Sequence, residues 1–135
     1  QRKETGSQQN YKMGSKGCIF LSLDHDTDES YTLSIDSGID IKSENYVGYV
    51  RALETVSQLI KGDAENGFYI ENVPLEIEDS PDYNHRGLMI DTARHFLPKS
   101  VILRTLDAMQ YNKMNVMHWH ITDDESFPLQ LETFP

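Results

Sequence analysis

Asp91, Arg94, Asp123 and Asp124 are the residues of this chain whose types suit work on a hydroxyl-rich ligand. One guanidinium beside several carboxylates makes a fork of donors and acceptors that matches sugar hydroxyls. A second reading of the same region starts from His118 and His120. Alternate residues of a strand point to one face, so a His-x-His pair can hold a divalent metal with Asp123 as a further ligand, as in metal-dependent barrel hydrolases. Such a site needs more ligands from later strands. Buried, hydrogen-bonded histidines are the plainer reading, and no metal or other cofactor is expected.

These polar groups lie far apart in sequence and need a fold to meet. Gly87–Ile90 is a nearly continuous apolar run, which predicts a strand buried on both faces of a parallel sheet. Pro98 stands near a helix start. Val101/Ile102, Thr105/Leu106 and Ala108/Met109 carry helical spacing to about Tyr111, where Asn112-Lys113 closes the helix. Asn115–Thr122 predicts a second strand. Strand, helix and strand with short joints form a βαβ unit with a right-handed crossover. Both strands of a parallel unit end on one rim, so Asp91 and Arg94 should neighbour Asp123 and Asp124. In barrel folds that rim is where active sites are built. The plainer alternatives are an Arg94 that only salt-bridges Asp91 or Asp123, and an Asp123 that caps a following helix. Asp91, His120 and Asp124 are read as supporting residues, and Trp119 as barrel core.

Upstream the pattern differs. Residues 1–14 are read as a flexible lead-in, polar and aperiodic over Gln1–Tyr11. Cys18–Leu23 is β-prone, and the following turn is expected to keep Asp24, Asp26, Asp28 and Glu29 solvated. Tyr31, Leu33 and Ile35 alternate with Thr32 and Ser34, and Ile39-Asp40-Ile41 resumes that alternation after Asp36-Ser37-Gly38, which predicts a hairpin. Ser43 is the expected cap of a helix with Glu44 in its first turn. Tyr46, Val50, Leu53, Ser57 and Ile60 form its apolar face, and Gly62 its left-handed end. Phe68–Ile70 and Val73–Ile77 complete the pattern as a strand pair. Residues 15–79 thus read as part of an α+β domain and 80–135, beyond Ser80-Pro81-Asp82, as a βαβ portion.

Composition excludes several classes. The 135 residues suffice for one ordinary domain or pieces of two. The formal net charge is -10, with 22 acidic against 12 basic residues, so the basic footprint of a nucleic-acid binder is missing. An acidic surface is common in proteins that work at low pH. No apolar run approaches the ~20 residues of a membrane span. No signal-peptide pattern is visible, and Gln1 is not a natural initiator, so an upstream part is expected. Cys18 is the single cysteine, which leaves a buried thiol or a partner outside this segment. No Asn-x-Ser/Thr acceptor occurs.

The run from His85 to Pro98, with Asp91-Thr92-Ala93-Arg94-His95 at its centre, resembles the start of the catalytic barrel of family 20 glycoside hydrolases, the β-N-acetylhexosaminidases. Leu106–Met109, Asn112–Asn115 and His118–Pro128 continue the match, and Ala52–Leu59 is similar to the helix of the small α+β domain that precedes that barrel. The resemblance implies an α/β fold that opens a (β/α)8 TIM barrel behind this α+β domain. It implies removal of terminal β-linked N-acetylglucosamine or N-acetylgalactosamine by retaining, substrate-assisted hydrolysis. Arg94 matches the arginine that grips the ring hydroxyls. Asp123 matches the aspartate that, through a downstream histidine, supports the acid–base glutamate. The family's Asp-Glu pair stands in a His-x-Gly-Gly-Asp-Glu context that does not occur here, and Asp124-Glu125 is not its equivalent. The isolated chain is therefore expected to be inactive, and a non-catalytic truncated relative or docked structural subunit is the alternative. Expected partners are a terminal N-acetylhexosamine, the remainder of the barrel, and a second subunit in a homo- or heterodimer. Family habit implies a lysosomal or extracellular location.

Overall fold

The computed structural model describes residues 12–13, 18–22, 27–65 and 67–133. Along the chain come β1 (Lys12–Met13), β2 (Cys18–Ser22), β3 (Tyr31–Ile35), β4 (Ile39–Lys42), α1 (Tyr46–Leu59), β5 (Lys61–Asp63), β6 (Gly67–Tyr69), β7 (Leu75–Asp79), β8 (Gly87–Asp91), α2 (Lys99–Tyr111) and β9 (Val116–His120). Apart from β1, the lead-in expected at 1–14 lies outside the described residues, as do Asp24, Asp26 and the side chain of Cys18. The chain divides into two compact units, one of residues 26–84 and one that joins 85–135 to 1–25.

In the 26–84 unit, β3 pairs antiparallel with β4 on one side and β7 on the other. The alternation read in the sequence is realised: Tyr31, Leu33 and Ile35 are buried, and Leu33 is wholly enclosed. Ala52 and Val56 of α1 close this core, with Ile41, Leu59, Ile70, Leu75 and Ile77 around it. Two strand partners differ from expectation. β6 pairs with β5, and β7 with β3, rather than with each other. The chain gains more by giving β7 a buried face over Leu33 than by folding it back on a three-residue strand.

The helix also corrects the sequence reading. Asn45, not Ser43, is the N-cap: its Oδ1 accepts from the N–H groups of Val47 at 2.8 Å and Gly48 at 3.3 Å. Ser43 donates instead to the carbonyl of Asn45, and Glu44 precedes the cap. The expected apolar face is the outer one, because Tyr46, Leu53, Ser57 and Ile60 are exposed. The inward stripe is Gly48, Ala52 and Val56, flanked by Arg51 and Thr55. Arg51 Nε reaches Glu29 Oε2 at 2.6 Å, and the Tyr31 hydroxyl lies 2.6 Å from Thr55 Oγ1 while donating to Asp79 Oδ2 at 2.8 Å. Glu29, expected in solvent, is thus buried by its ion pair. Gly62 lies in β5 opposite Phe68; among the described residues the left-handed glycine is Gly67, with φ 70°.

Gly48 is dictated by close approach, since a Cβ there would collide with the carbonyl oxygen of Ser30. Alanine is favoured over glycine in a helix by about 1 kcal/mol. Overpacking against a backbone atom that cannot swing away costs about 1–3 kcal/mol. Gly48→Ala is accordingly expected to lower stability in urea unfolding, and a stabilised variant would show that α1 does not rest on β3 this closely.

In the other unit the sheet order is β1-β2-β9-β8. β8 and β9 run parallel in the register Gly87↔Val116 through Asp91↔His120, with α2 between them in sequence. The helix starts after Pro98, whose carbonyl accepts from Val101 and Ile102, and ends at Asn112, with Lys113 turning at φ 53°. Ile90, Ile102, Met109 and Met117 form its core, with Leu97, Met114 and Trp119 packed against them. The opposite ends of the strands are tied by Arg86, whose N–H donates to Asn115 Oδ1 and whose guanidinium donates to the Lys113 carbonyl. One feature departs from expectation. β8 is an edge strand with Leu88 and Met89 exposed and only Ile90 buried, so it is covered on one face rather than two. β2 hydrogen-bonds antiparallel to β9 along the side of β9 opposite β8.

Candidate functional site

The ladder between β8 and β9 ends at Asp91 and His120, and the N–H of Thr92 extends it by donating to the His120 carbonyl at 3.0 Å. Beyond that point both chains turn, and an aspartate shapes each turn. Asp91 Oδ1 accepts from the N–H groups of Ala93 and Arg94, both at 3.0 Å. Asp123 Oδ1 accepts from Glu125 at 3.1 Å and Ser126 at 3.0 Å. Short polar side chains that bond their own backbone two and three residues on are the usual makers of such turns. Asp123 therefore closes the turn 123–126 rather than capping a helix.

Each aspartate spends one oxygen on its turn and aims the other at Arg94. Nη1 of Arg94 lies 2.6 Å from Asp91 Oδ2, and Nε lies 2.9 Å from Asp123 Oδ2. His120 Nε2 approaches the same Asp123 oxygen at 3.3 Å. The two strand ends thus bring together Asp91, Arg94, His120 and Asp123. Asp124 is exposed and takes no part in this cluster among the described residues; its neighbour Glu125 adds a charge that helps hold the guanidinium protonated. A guanidinium has five N–H donors. With Nε and one Nη1 proton given to carboxylates, the remaining N–H groups belong to a side chain that is 57% exposed.

The electrostatics favour full ionisation. The N–H and guanidinium of Arg94 hold the Asp91 carboxyl below its ordinary value, against the opposing effect of burial. For Asp123 burial is the largest influence and pushes upward. It is outweighed by the His120 ring, the Ser126 and Glu125 N–H groups and the charge of Arg94, so the net direction is down. A carboxylate with a depressed folded-state value stabilises the fold fully above its unfolded value near 3.9, and loses that contribution as pH falls through the folded value. Wild-type stability is therefore expected to fall relative to Asp123→Asn only below about pH 4. Thermal midpoints from about pH 6 to 2 check this, and a difference between the two that is constant down to the lowest pH would contradict it.

A metal reading meets a concrete obstacle. Ligand atoms of Asp91, His120 and Asp123 lie within 4.8 Å of one another, without His118 in the group. The guanidinium of Arg94 already bonds both carboxylates and is the cation they share. The sequence reading missed two members of this region. Thr92 is buried between the strand ends, and Trp119 Nε1 donates to its Oγ1 at 2.9 Å. A β-branched hydroxyl directly after the strand, beside the chain's single tryptophan, is the signal that marks them.

Residues 83–135 match the glycosyl hydrolase family 20 catalytic domain, and residues 2–59 match a beta-acetyl hexosaminidase like domain. Beta-hexosaminidase subunit beta of Felis catus is 54% identical over 110 residues, 81% of this chain and 20% of that protein. The subunit alpha of Bos taurus is 52% identical over 108 residues, covering 79% of this chain and 20% of its own length. Among solved structures, the chitobiase of Flavobacterium johnsoniae superposes with a TM-score of 0.67 at 40% identity, covering 78% of this chain and 16% of that one. The Vibrio harveyi exo beta-N-acetylglucosaminidase in complex with N-acetylglucosamine gives 0.67 at 31% identity, with the same coverage. The chain belongs to glycoside hydrolase family 20. It spans about a fifth of the length of the curated relatives it matches.

Proposed function

We propose that this chain is part of a retaining β-N-acetylhexosaminidase that removes terminal N-acetylglucosamine or N-acetylgalactosamine by substrate-assisted hydrolysis. The observation that carries the reading is the Arg94 guanidinium, fixed by Asp91 and Asp123 at two parallel strand ends with donors to spare. In this reading β8, α2 and β9, within residues 80–135, open a (β/α)8 barrel, and 15–79 is part of the α+β domain before it. Arg94 grips ring hydroxyls of the terminal sugar. The substrate's acetamido oxygen attacks C1 and displaces the leaving group, forming an oxazoline. A glutamate protonates the leaving oxygen and then activates water, while its neighbouring aspartate holds the acetamido group.

Neither member of that Asp-Glu pair is present in its family context among the 135 residues. The chain by itself is therefore expected to be inactive, and it works together with the remainder of the barrel in a homo- or heterodimer. The resemblance to the hexosaminidase subunits supports a lysosomal or extracellular location. Asp123, in contact with His120, contributes by supporting the charge state of the acid–base group. Asp123→Asn in the full-length protein should mainly lower kcat and displace the pH–rate profile, and a profile superimposable on wild type would count against that role.

The test of the whole reading compares 4-nitrophenyl glycosides with the full-length protein. Release from the N-acetyl-β-glucosaminide and N-acetyl-β-galactosaminide is expected, with none from the β-glucoside, which has no acetamido group to attack C1. Equal hydrolysis of the β-glucoside would exclude substrate assistance. No release from any of the three would overturn the enzyme reading.

A further inference from the structure

Thr92 stands where the two strand ends diverge toward Arg94 and Asp123, and it is 4% exposed. Four of its contacts cross to the β9 side. Its N–H donates to the His120 carbonyl at 3.0 Å. Its hydroxyl accepts from Trp119 Nε1 at 2.9 Å, and lies 3.4 Å from the carbonyl oxygens of His120 and Ile121. One hydroxyl has a single proton to give and two lone pairs to accept with, so this set orients it fully. The backbone bond would survive any side-chain change. The indole-to-hydroxyl bond is the part that sequence can vary.

The neighbours of this latch are the site. Asp91 ends β8 just before Thr92 and Arg94 follows it, while His120 and Asp123 follow Trp119. The distance from Asp91 Oδ2 to Asp123 Oδ2 is spanned by one planar guanidinium, whose Nη1 and Nε have a fixed separation. A small shift between the strand ends breaks one of its two carboxylate contacts and tilts the donors left for a ligand. We infer that Thr92 is a positioning residue, which through Trp119 sets the span between Asp91 and Asp123 and hence the pose of Arg94 toward the sugar. This rests on the proposed role of Arg94 in binding the terminal sugar.

The experiment uses the full-length enzyme with N-acetylglucosamine as competitive inhibitor and a 4-nitrophenyl N-acetyl-β-glucosaminide as substrate. Thr92→Val keeps the shape and removes the hydroxyl; it is expected to weaken N-acetylglucosamine about 5- to 20-fold and raise KM in step, with a smaller change in kcat. Thr92→Ser restores the hydroxyl and should return both constants to within about twofold of wild type. Trp119→Phe removes the other half of the latch, and should itself weaken the inhibitor while adding little to Thr92→Val in the double variant. A merely structural threonine predicts a lower Tm with wild-type inhibitor affinity in the folded variant, and that result would overturn the inference. If Thr92→Val does not fold, a folded Trp119→Phe with wild-type affinity overturns it equally. Arg94→Ala is the reference: unchanged affinity there sinks the sugar-binding reading, whereas weakened affinity there with an unaffected Thr92→Val sinks only the latch.

Discussion

Arg94→Ala in the full-length enzyme is expected to weaken binding of the terminal sugar by about 10- to 100-fold, the range of one or two lost charge-assisted hydrogen bonds at a partly exposed group. The side chain is 57% exposed without a ligand, so water competes for its donors and holds the effect below that of a fully desolvated arginine. A second effect works in the same direction. Without the guanidinium, the carboxylates of Asp91 and Asp123 face each other with ligand atoms inside 4.8 Å, and their repulsion opens the turns that carry them. Because the ring hydroxyls are held alike before and during bond cleavage, the loss should appear in KM and inhibitor affinity more than in kcat. Arg94→Lys retains the charge but not the planar fork, and should recover only part of the affinity. A folded Arg94→Ala enzyme with wild-type affinity for N-acetylglucosamine would remove Arg94 from the binding site.

Arg51→Ala is expected to cost about 3–5 kcal/mol of stability, enough to unfold a domain of ordinary stability near body temperature. Glu29 is 4% and Arg51 9% exposed, and their closest atoms are 2.6 Å apart. Truncating one partner removes this contact from the other charge in a place water scarcely reaches. Replacing both by apolar residues of similar volume, Glu29→Leu with Arg51→Met, removes the attraction and the desolvation together. That double variant should be far closer to wild type than either single one. Urea unfolding of the four proteins in a double-mutant cycle measures the coupling. Additive losses would mean that the pair is not what anchors α1 to the start of β3.

Much of the candidate site was legible from the chain itself. Gly87–Ile90, the spacing from Val101 to Met109 and the stretch Asn115–Thr122 are local patterns. A parallel pair joined by a helix forces its strand ends onto one rim, so Asp91, Arg94 and Asp123 had to converge. The alternation of Tyr31, Leu33 and Ile35 fixed a buried face by the same local logic, because side chains on a strand repeat with period two.

What the tertiary structure decided is non-local. Counting apolar side chains on α1 selects Tyr46, Leu53 and Ile60, yet the inward face is the one that offers Gly48 to the Ser30 carbonyl and Arg51 to Glu29. Close approach and a buried ion pair outweigh hydrophobicity there, and neither leaves a periodic trace. The partners of β6 and β7 depended on which edge could share the core over Leu33. The latch of Thr92 against Trp119 joins two residues that local pattern treats as a loop threonine and a core aromatic. The residue types for gripping a sugar are written in the sequence, while their aim is set where β8 and β9 separate, because only the packed strands fix the distance between two turns.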